Sequence, residues 1–341
     1  MNSTTCVMGF FGISLILLGV PAFAQAPAVE EVLGVLGMDS AQIAELAEGQ
    51  PVVYTLSEGS DDEIAVGLAW YFSVPLGKVA GHLREEDSIS LDVGVSAHGI
   101  LTEHSGAGSL ATVTLSREEA QTLLNAEPGD KFNLSTQEIE KLKSFKQTLK
   151  QMPHKTIEDV AGEHFREILL QRYKAYRHGG TNAIAPYARE DSLDSKPSLE
   201  LRQAANESDL LARYLPALHK AWLDYPKALP PGAVEAFPWV EKTVEGRMAA
   251  ILRHRVTMDW NGGVLVLTRE FYAAHSYNSS QWITGCLPYR DGTVVFQQVR
   301  SFTDQVTGMA SDIKHIVGRK LLKDKMLKFY ERLCGSLGQC P

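Results

Sequence analysis

Residues 269–282 read REFYAAHSYNSSQW and gather one histidine, two tyrosines, a tryptophan, an asparagine and three serines. Such residues can supply a general base beside a hydroxyl nucleophile. They can equally line a pocket, with aromatic bodies giving contact area and polar tips giving orientation, or simply reverse a strand. On a strand running straight through, one side carries Arg269, Phe271, Ala273, His275 and Tyr277, and the other Glu270, Tyr272, Ala274, Ser276 and Asn278. That alternation points His275 and Ser276 apart, so they are not expected to form a base and its nucleophile. Tyr-Asn-Ser-Ser is turn chemistry, and it predicts a hairpin reversing at about Ser276 to Ser280, with His275 and Trp282 facing each other across it. The candidate ligand contacts are therefore Tyr272, His275, Tyr277 and Trp282, and no residue is assigned a catalytic role.

Elsewhere the chemistry-bearing spacings are incomplete. Gly94-Val95-Ser96-Ala97-His98-Gly99 approaches the G-x-S-x-G elbow, but its second glycine is displaced by one and no helical pattern follows. Gly106-Ala107-Gly108-Ser109-Leu110-Ala111 fits a relaxed dinucleotide fingerprint, yet the LATVTL that follows is β-like where a helix is required. There is no Walker-A loop and no H-E-x-x-H. His98 with His104, and Asp312 with His315, fall short of the two close ligand pairs of a zinc site. No metal and no cofactor are expected.

Residues 1–24, MNSTTCVMGFFGISLILLGVPAFA, carry no charged side chain, hold an apolar run from Phe10 to Val20 and close on Ala22-Phe23-Ala24. This is a secretory signal pattern with an A-x-A cleavage site. A retained anchor is the alternative, although Gly12, Gly19 and Pro21 dilute the run below the roughly 20 apolar residues of a spanning helix. The expectation is export to the periplasm, with no transmembrane segment after cleavage. The net charge is −8, and nine acids fall between Glu30 and Glu63 ahead of the first basic residue, Lys78. Nucleic acid, which wants a basic face, is not an expected partner. The C-terminal segment is basic, with Lys314, Arg319, Lys320, Lys323, Lys325, Lys328 and Arg332. Of the cysteines beyond the signal, Cys286, Cys334 and Cys340, one pair and one free thiol is the simplest arithmetic, with the pairing left open.

The elements that must position these residues are legible in pattern. AVEEVLGVLGMDSAQIAELAEG predicts two short helices, and PVVYTL and EIAVGLAWYFSV predict strands. LGKVAGHLREED predicts a short helix, ISLDVGVSAHGIL and SLATVTL further strands. Capping boxes at Ser116 to Glu119 and Ser135 to Glu138 open helices reaching about Ala126 and Lys150. From Thr156, Ile157, Ala161, Phe165, Ile168, Leu169 and Tyr176 share one helical face, ended by Gly179-Gly180. LELRQAAN and SDLLARYLPALHKAWLDY predict two more helices, before the Pro-rich connector YPKALPPGAVEAFP. Four strands in an antiparallel meander follow from Arg247, with turns at Asn261-Gly262-Gly263 and Arg290-Asp291-Gly292. A long helix then runs from about Asp304 to Leu333, with one apolar stripe of Met309, Ile313, Ile316, Val317 and Leu321 and a second of Leu322, Met326, Phe329 and Leu333. The stripes are rotated by about 100°, so the helix is expected to bend near Gly318 or, as favoured for its later half, to be clasped on two sides. The segments divide as 1–24, 25–115, 116–238 and 239–341, unless 25–341 forms one composite domain.

The pieces RYKAYRHGGTNAIAPY, REFYAAHSYNSSQW and SDIKHIVGRK resemble, in that order, segments of a family of exported bacterial proteins with no assigned activity. The resemblance covers about Glu163 to Lys328 and implies only that Tyr176, Gly179, Gly180, His275, Lys314 and Arg319 occupy its signature positions. IAVGLAWYFSVPLGKVAGHL, with the meander feeding a terminal helix, is similar to a helix-grip fold of the START type, from which the segment Ser116 to Pro238 departs as a large insertion. Such a fold implies an apolar ligand held beneath the helix.

The fold expected is α+β: an antiparallel meander packed against a long C-terminal helix, helix-grip-like, with a large helical middle. The function expected is non-catalytic binding of an apolar or amphipathic, lipid-like small molecule. An envelope hydrolase with His275 as general base, and an envelope interaction protein using the basic helix, are the alternatives. A closed apolar cavity of several hundred Å3 walled by the four candidate side chains would be the deciding observation.

Overall fold

The computed structural model describes residues 27–85, 89, 91–129, 131–148, 155–190 and 193–338, so the signal pattern and Cys340 lie outside the described residues. The elements run α1 (Val29–Val35), α2 (Ser40–Ala47), β1 (Val52–Thr55), β2 (Glu63–Phe72), α3 (Leu76–Arg84), β3 (Val95–Leu101), α4 (Arg117–Leu124), α5 (Thr136–Thr148), α6 (Ile157–Gly179) and α7 (Pro197–Asn206). They continue with α8 (Asp209–Tyr214), α9 (Pro216–Leu223), β4 (Val234–Val244), β5 (Arg247–Trp260), β6 (Gly263–Ala273), β7 (Ser279–Tyr289), β8 (Gly292–Phe302) and α10 (Ser311–Leu337). The fold is α+β, and its eight strands form one antiparallel sheet in the order β1-β2-β8-β7-β6-β5-β4-β3.

The hairpins follow from local backbone chemistry. Asn261 and Gly262 take φ of 52° and 77° between β5 and β6, the conformation that asparagine and glycine tolerate best. Glu245 and Gly246, at φ 50° and 80°, make an equivalent turn between β4 and β5. The sequence reading missed that turn and the strand before it. Pro238 sits inside β4 and argues against a central strand; the ladder to β5 accommodates it by skipping Phe237 and Pro238. The meander therefore has five strands, and the expected break at 238/239 falls inside the first of them.

Other expectations change for equally local reasons. SLATVTL forms no strand: it begins in a short 3-10 turn, and the Val113 carbonyl is taken by Arg166 Nη1 at 2.9 Å. ISLDVGVSAHGIL is strand only from Val95, after Gly94 at φ 86°. Pro216 divides the predicted helix of SDLLARYLPALHKAWLDY into α8 and α9. The last helix starts at Ser311 rather than Asp304, because Gly308 and Ala310 take positive φ.

Both faces of the sheet are covered. Val264 and Val266 of β6 pack with Cys286 and Val295 against Met326, Tyr330 and Leu333 of α10. Their neighbours Leu265 and Leu267 point the other way, with Ile283 and Phe296, against Val32, Leu211 and Trp222. That double burial explains why β6 is buried along its whole length. The helices α4 to α6 close a further core over β3–β6.

The two stripes on α10 meet different fates. Met326 and Leu333 are buried on the sheet and Leu322 and Phe329 pack beside them, whereas Met309, Ile313, Ile316, Val317 and Leu321 are 51–92% exposed. Clasping on two sides is thus not what the helix adopts. Gly318 brings it onto β2, since a Cβ there would sit 2.4 Å from Ile64 Cδ1. Cys334 is disulfide-bonded, while Cys286 is a buried free thiol that burial pushes up to about 11. Among the described residues no helix is long and apolar enough to cross a membrane.

Candidate functional site: the cavity beneath the last helix

Where α10 crosses the sheet it leaves a cavity of about 180 Å3. The sheet contributes Val266, Thr268 and Glu270 from β6, Ser280, Trp282 and Thr284 from β7, and Gln297, Val299 and Ser301 from β8. These are alternate residues, so one face of three strands makes the floor. Leu322, Lys325, Met326 and Phe329 of α10 form the roof, with Leu83 of α3 and Ile89 at the side.

One end is ionic. Arg253 Nε donates to Glu270 Oε1 at 2.9 Å, and both side chains are 4% exposed. Asp92, on the segment after α3, accepts from Lys242 Nζ at 3.0 Å and from Arg253 Nη2. Tyr277 Oη donates to Glu270 Oε2 at 2.5 Å. Burial would raise the Asp92 carboxyl, but Lys242 and Arg253 beside it hold it well below the usual carboxylate range. Burial would likewise lower the Arg253 guanidinium, which Glu270 and Asp92 instead hold firmly protonated. Tyr277 is pushed up by burial and by the Glu270 charge, so its phenol stays a donor. The site is an apolar slot with a fixed polar end, the form that orients an amphipathic molecule.

The four residues singled out in the sequence divide evenly. Tyr277 and Trp282 line the cavity; Tyr272 and His275 do not. A β-bulge takes Tyr272 off the face of Glu270: Leu252 pairs with Tyr272 and Arg253 with Glu270, leaving Phe271 unpaired. The bulge breaks the period of two, and Tyr272 turns into the helical core beneath Arg172, whose guanidinium lies 4.5 Å from its ring centroid. Trp282 does not face His275, since it pairs with Thr268 and Val299.

His275 and Ser276 do meet, against the sequence expectation. The strand stops at Ala273 and Ser276 takes φ 72°, so alternation no longer applies, and His275 Nδ1 lies 2.8 Å from Ser276 Oγ. The other ring nitrogen, Nε2, is 3.1 Å from the Met248 carbonyl, which can only accept. Nε2 therefore carries the proton and Nδ1 accepts from the serine. Burial lowers the His275 pKa, keeping the ring neutral, and the ring is 1% exposed. Both nitrogens are occupied inside the protein, which gives the histidine the part of a turn brace.

The remaining polar residues of this stretch are also spent internally. The reversal lies at 274–278, earlier than expected, because β7 already begins at Ser279. Asn278 Nδ2 donates to Glu200 Oε1 and to Asp304 Oδ1, each at 3.0 Å, and Ser279 Oγ donates to Glu200 Oε2 at 2.6 Å. Arg189 Nη2 donates to Asn278 Oδ1 at 3.0 Å. The turn is thereby fastened to Glu200 of α7 and to Asp304, two residues beyond the end of β8.

No family model matches this chain. No curated protein matches it either. Among solved structures, the crystal structure of Ara h 8.0201 is similar over 41% of this chain and 89% of its own, at 9% identity and a TM-score of 0.21. That likeness is too slight to carry an argument, so the geometry stands alone.

The residues that sequence reasoning missed are Asp92, Lys242, Arg253, Glu270 and Lys325. A signal existed for part of the set: Arg253 and Arg255 recur at period two inside an apolar strand, a costly pattern unless paired. Asp92 carried no such signal. Among the described residues no cluster of three His, Cys, Asp or Glu could hold a metal ion.

Proposed function

We propose that the protein binds a small amphipathic molecule in the cavity beneath α10, without chemical turnover. The observation that carries this reading is the slot itself, apolar along Val266, Val299, Met326 and Phe329 and ionic at Asp92, Arg253 and Glu270. Its volume, about 180 Å3, is smaller than the several hundred Å3 typical of drug-sized sites, so the ligand is correspondingly small. Supporting it is the order β2, α3, β3, then β4 to β8 feeding α10, which is helix-grip-like with α4 to α9 as one insertion. The secretory pattern of residues 1–24 supports an exported, periplasmic protein.

The test is native mass spectrometry of protein purified from the periplasm, compared with a Thr268→Phe variant that fills the slot. A small bound molecule present in the parent and absent from the folded variant supports the reading. An empty parent that takes up no small amphiphile when soaked sinks it.

One observation favours a second reading, an envelope interaction through α10. Ile313, Ile316, Val317 and Leu321 are exposed on one helical face with Lys320 among them, a form that suits an anionic lipid surface. Sedimentation with vesicles containing anionic lipid, lost on Ile313→Ser with Ile316→Ser, is its test.

A further inference from the structure

Among the described residues, Lys242, Arg253, Arg255 and Lys325 line the slot together with the two carboxylates Asp92 and Glu270. Each carboxylate is already matched. Glu270 takes Arg253 and Tyr277, and Asp92 takes Lys242 and Arg253. Arg255 donates to the carbonyls of Leu83 and Arg84, at the C-terminal end of α3, where the helix dipole presents negative charge. Lys325 remains. It stands on the roof between Leu322 and Phe329, exposed at the rim of the slot, and among the described residues it makes no direct hydrogen bond or ion pair.

An ammonium at the rim, with Asp92 and Glu270 near it but already engaged by Lys242, Arg253 and Tyr277, favours an anion among what enters. A cationic head group beside Lys325 meets repulsion from it, a neutral one leaves the ammonium to solvent, and an anion gains a charge-assisted hydrogen bond. We infer that the ligand is a small anionic amphiphile, a carboxylate or similar anion on a short apolar body, with its head group held by Lys325. This rests on the cavity-binding reading above and adds the charge of the ligand to it. The size fits a short chain or a single ring, since an apolar cavity of about 150 Å3 holds benzene.

Three probes of equal length separate the outcomes: octanoate, 1-octanol and octylamine, titrated calorimetrically into the intact protein. The expected result is octanoate bound about tenfold more tightly than octanol, with octylamine weakest. Lys325→Gln is expected to erase the preference for octanoate over octanol, with a cooperative thermal melt showing that the variant is folded. Lys320→Gln, on the outer face of α10, is the control and keeps the preference. If octanol binds as tightly as octanoate, or octylamine binds more tightly, the anionic assignment falls and cavity binding stands. Retention of the preference in Lys325→Gln overturns the role of that lysine. Binding of none of the three overturns both readings together.

Discussion

Arg253 and Glu270 form a buried ion pair across β5 and β6, 2.9 Å from Nε to Oε1, directly beside the bulge at Phe271. Removing one member strands the other in the core. Arg253→Met or Glu270→Leu alone is therefore expected to cost about 3–5 kcal/mol, whereas the double substitution costs less than the sum of the two. Urea denaturation of the four proteins measures this coupling.

Glu200 and His254 make opposite demands on pH. Burial pushes the Glu200 carboxyl up from 4.5 to about 7, and burial holds His254 down from 6.5 to about 4. Between pH 4.5 and 6.5 the folded protein keeps a proton on Glu200 that the unfolded chain has lost, so this group makes stability fall as pH rises. Over the same window the unfolded chain protonates His254 and the folded one does not, so that group makes stability rise with pH. The two slopes oppose each other in the parent. Glu200→Gln should unmask a midpoint that climbs from pH 4.5 to 6.5, and His254→Gln a midpoint that falls, each followed by thermal melts across pH.

Gly180 ends α6 at φ 61° and ψ −149°, and a Cβ there would lie 1.8 Å from the Tyr225 carbonyl oxygen. Both the backbone region and the space exclude a side chain. Gly180→Ala is expected to destabilise by about 2 kcal/mol or more, read as a lowered urea midpoint.

If His275 is a brace, its loss is a matter of stability. His275→Ala leaves the Met248 carbonyl without its donor and should cost about 1–3 kcal/mol. Octanoate affinity should not change, because the ring lies outside the slot. Trp282→Ala, on its wall, should weaken binding severalfold, and calorimetry on both variants discriminates the two positions.

How much of this the sequence disclosed depends on how local the cause is. The helix α6 was legible because Thr156 caps it, its apolar face is periodic and Gly180 stops it, all within one segment. The hairpin at Asn261-Gly262 was legible for the same reason. β4 was not, because Pro238 masks a strand that only its neighbours make tolerable. The lining of the candidate cavity was half legible. Tyr277 and Trp282 line it, but Tyr272 is turned away by a single unpaired residue that no periodicity argument could place. Asp92, Arg253 and Lys325 converge from a linker, a strand and a helix, and only packing over long chain separations brings them together.

Cys286 is fully buried between the sheet and α10, with its thiol held at about 11. A thiolate is the reactive form, so an alkylating reagent at neutral pH finds almost none of it and has no path to it while the helix is seated. The native chain thus carries its own clock: the rate at which Cys286 becomes labelled reports how often the layer beneath α10 comes apart, and a molecule lodged there would slow it in proportion to its occupancy.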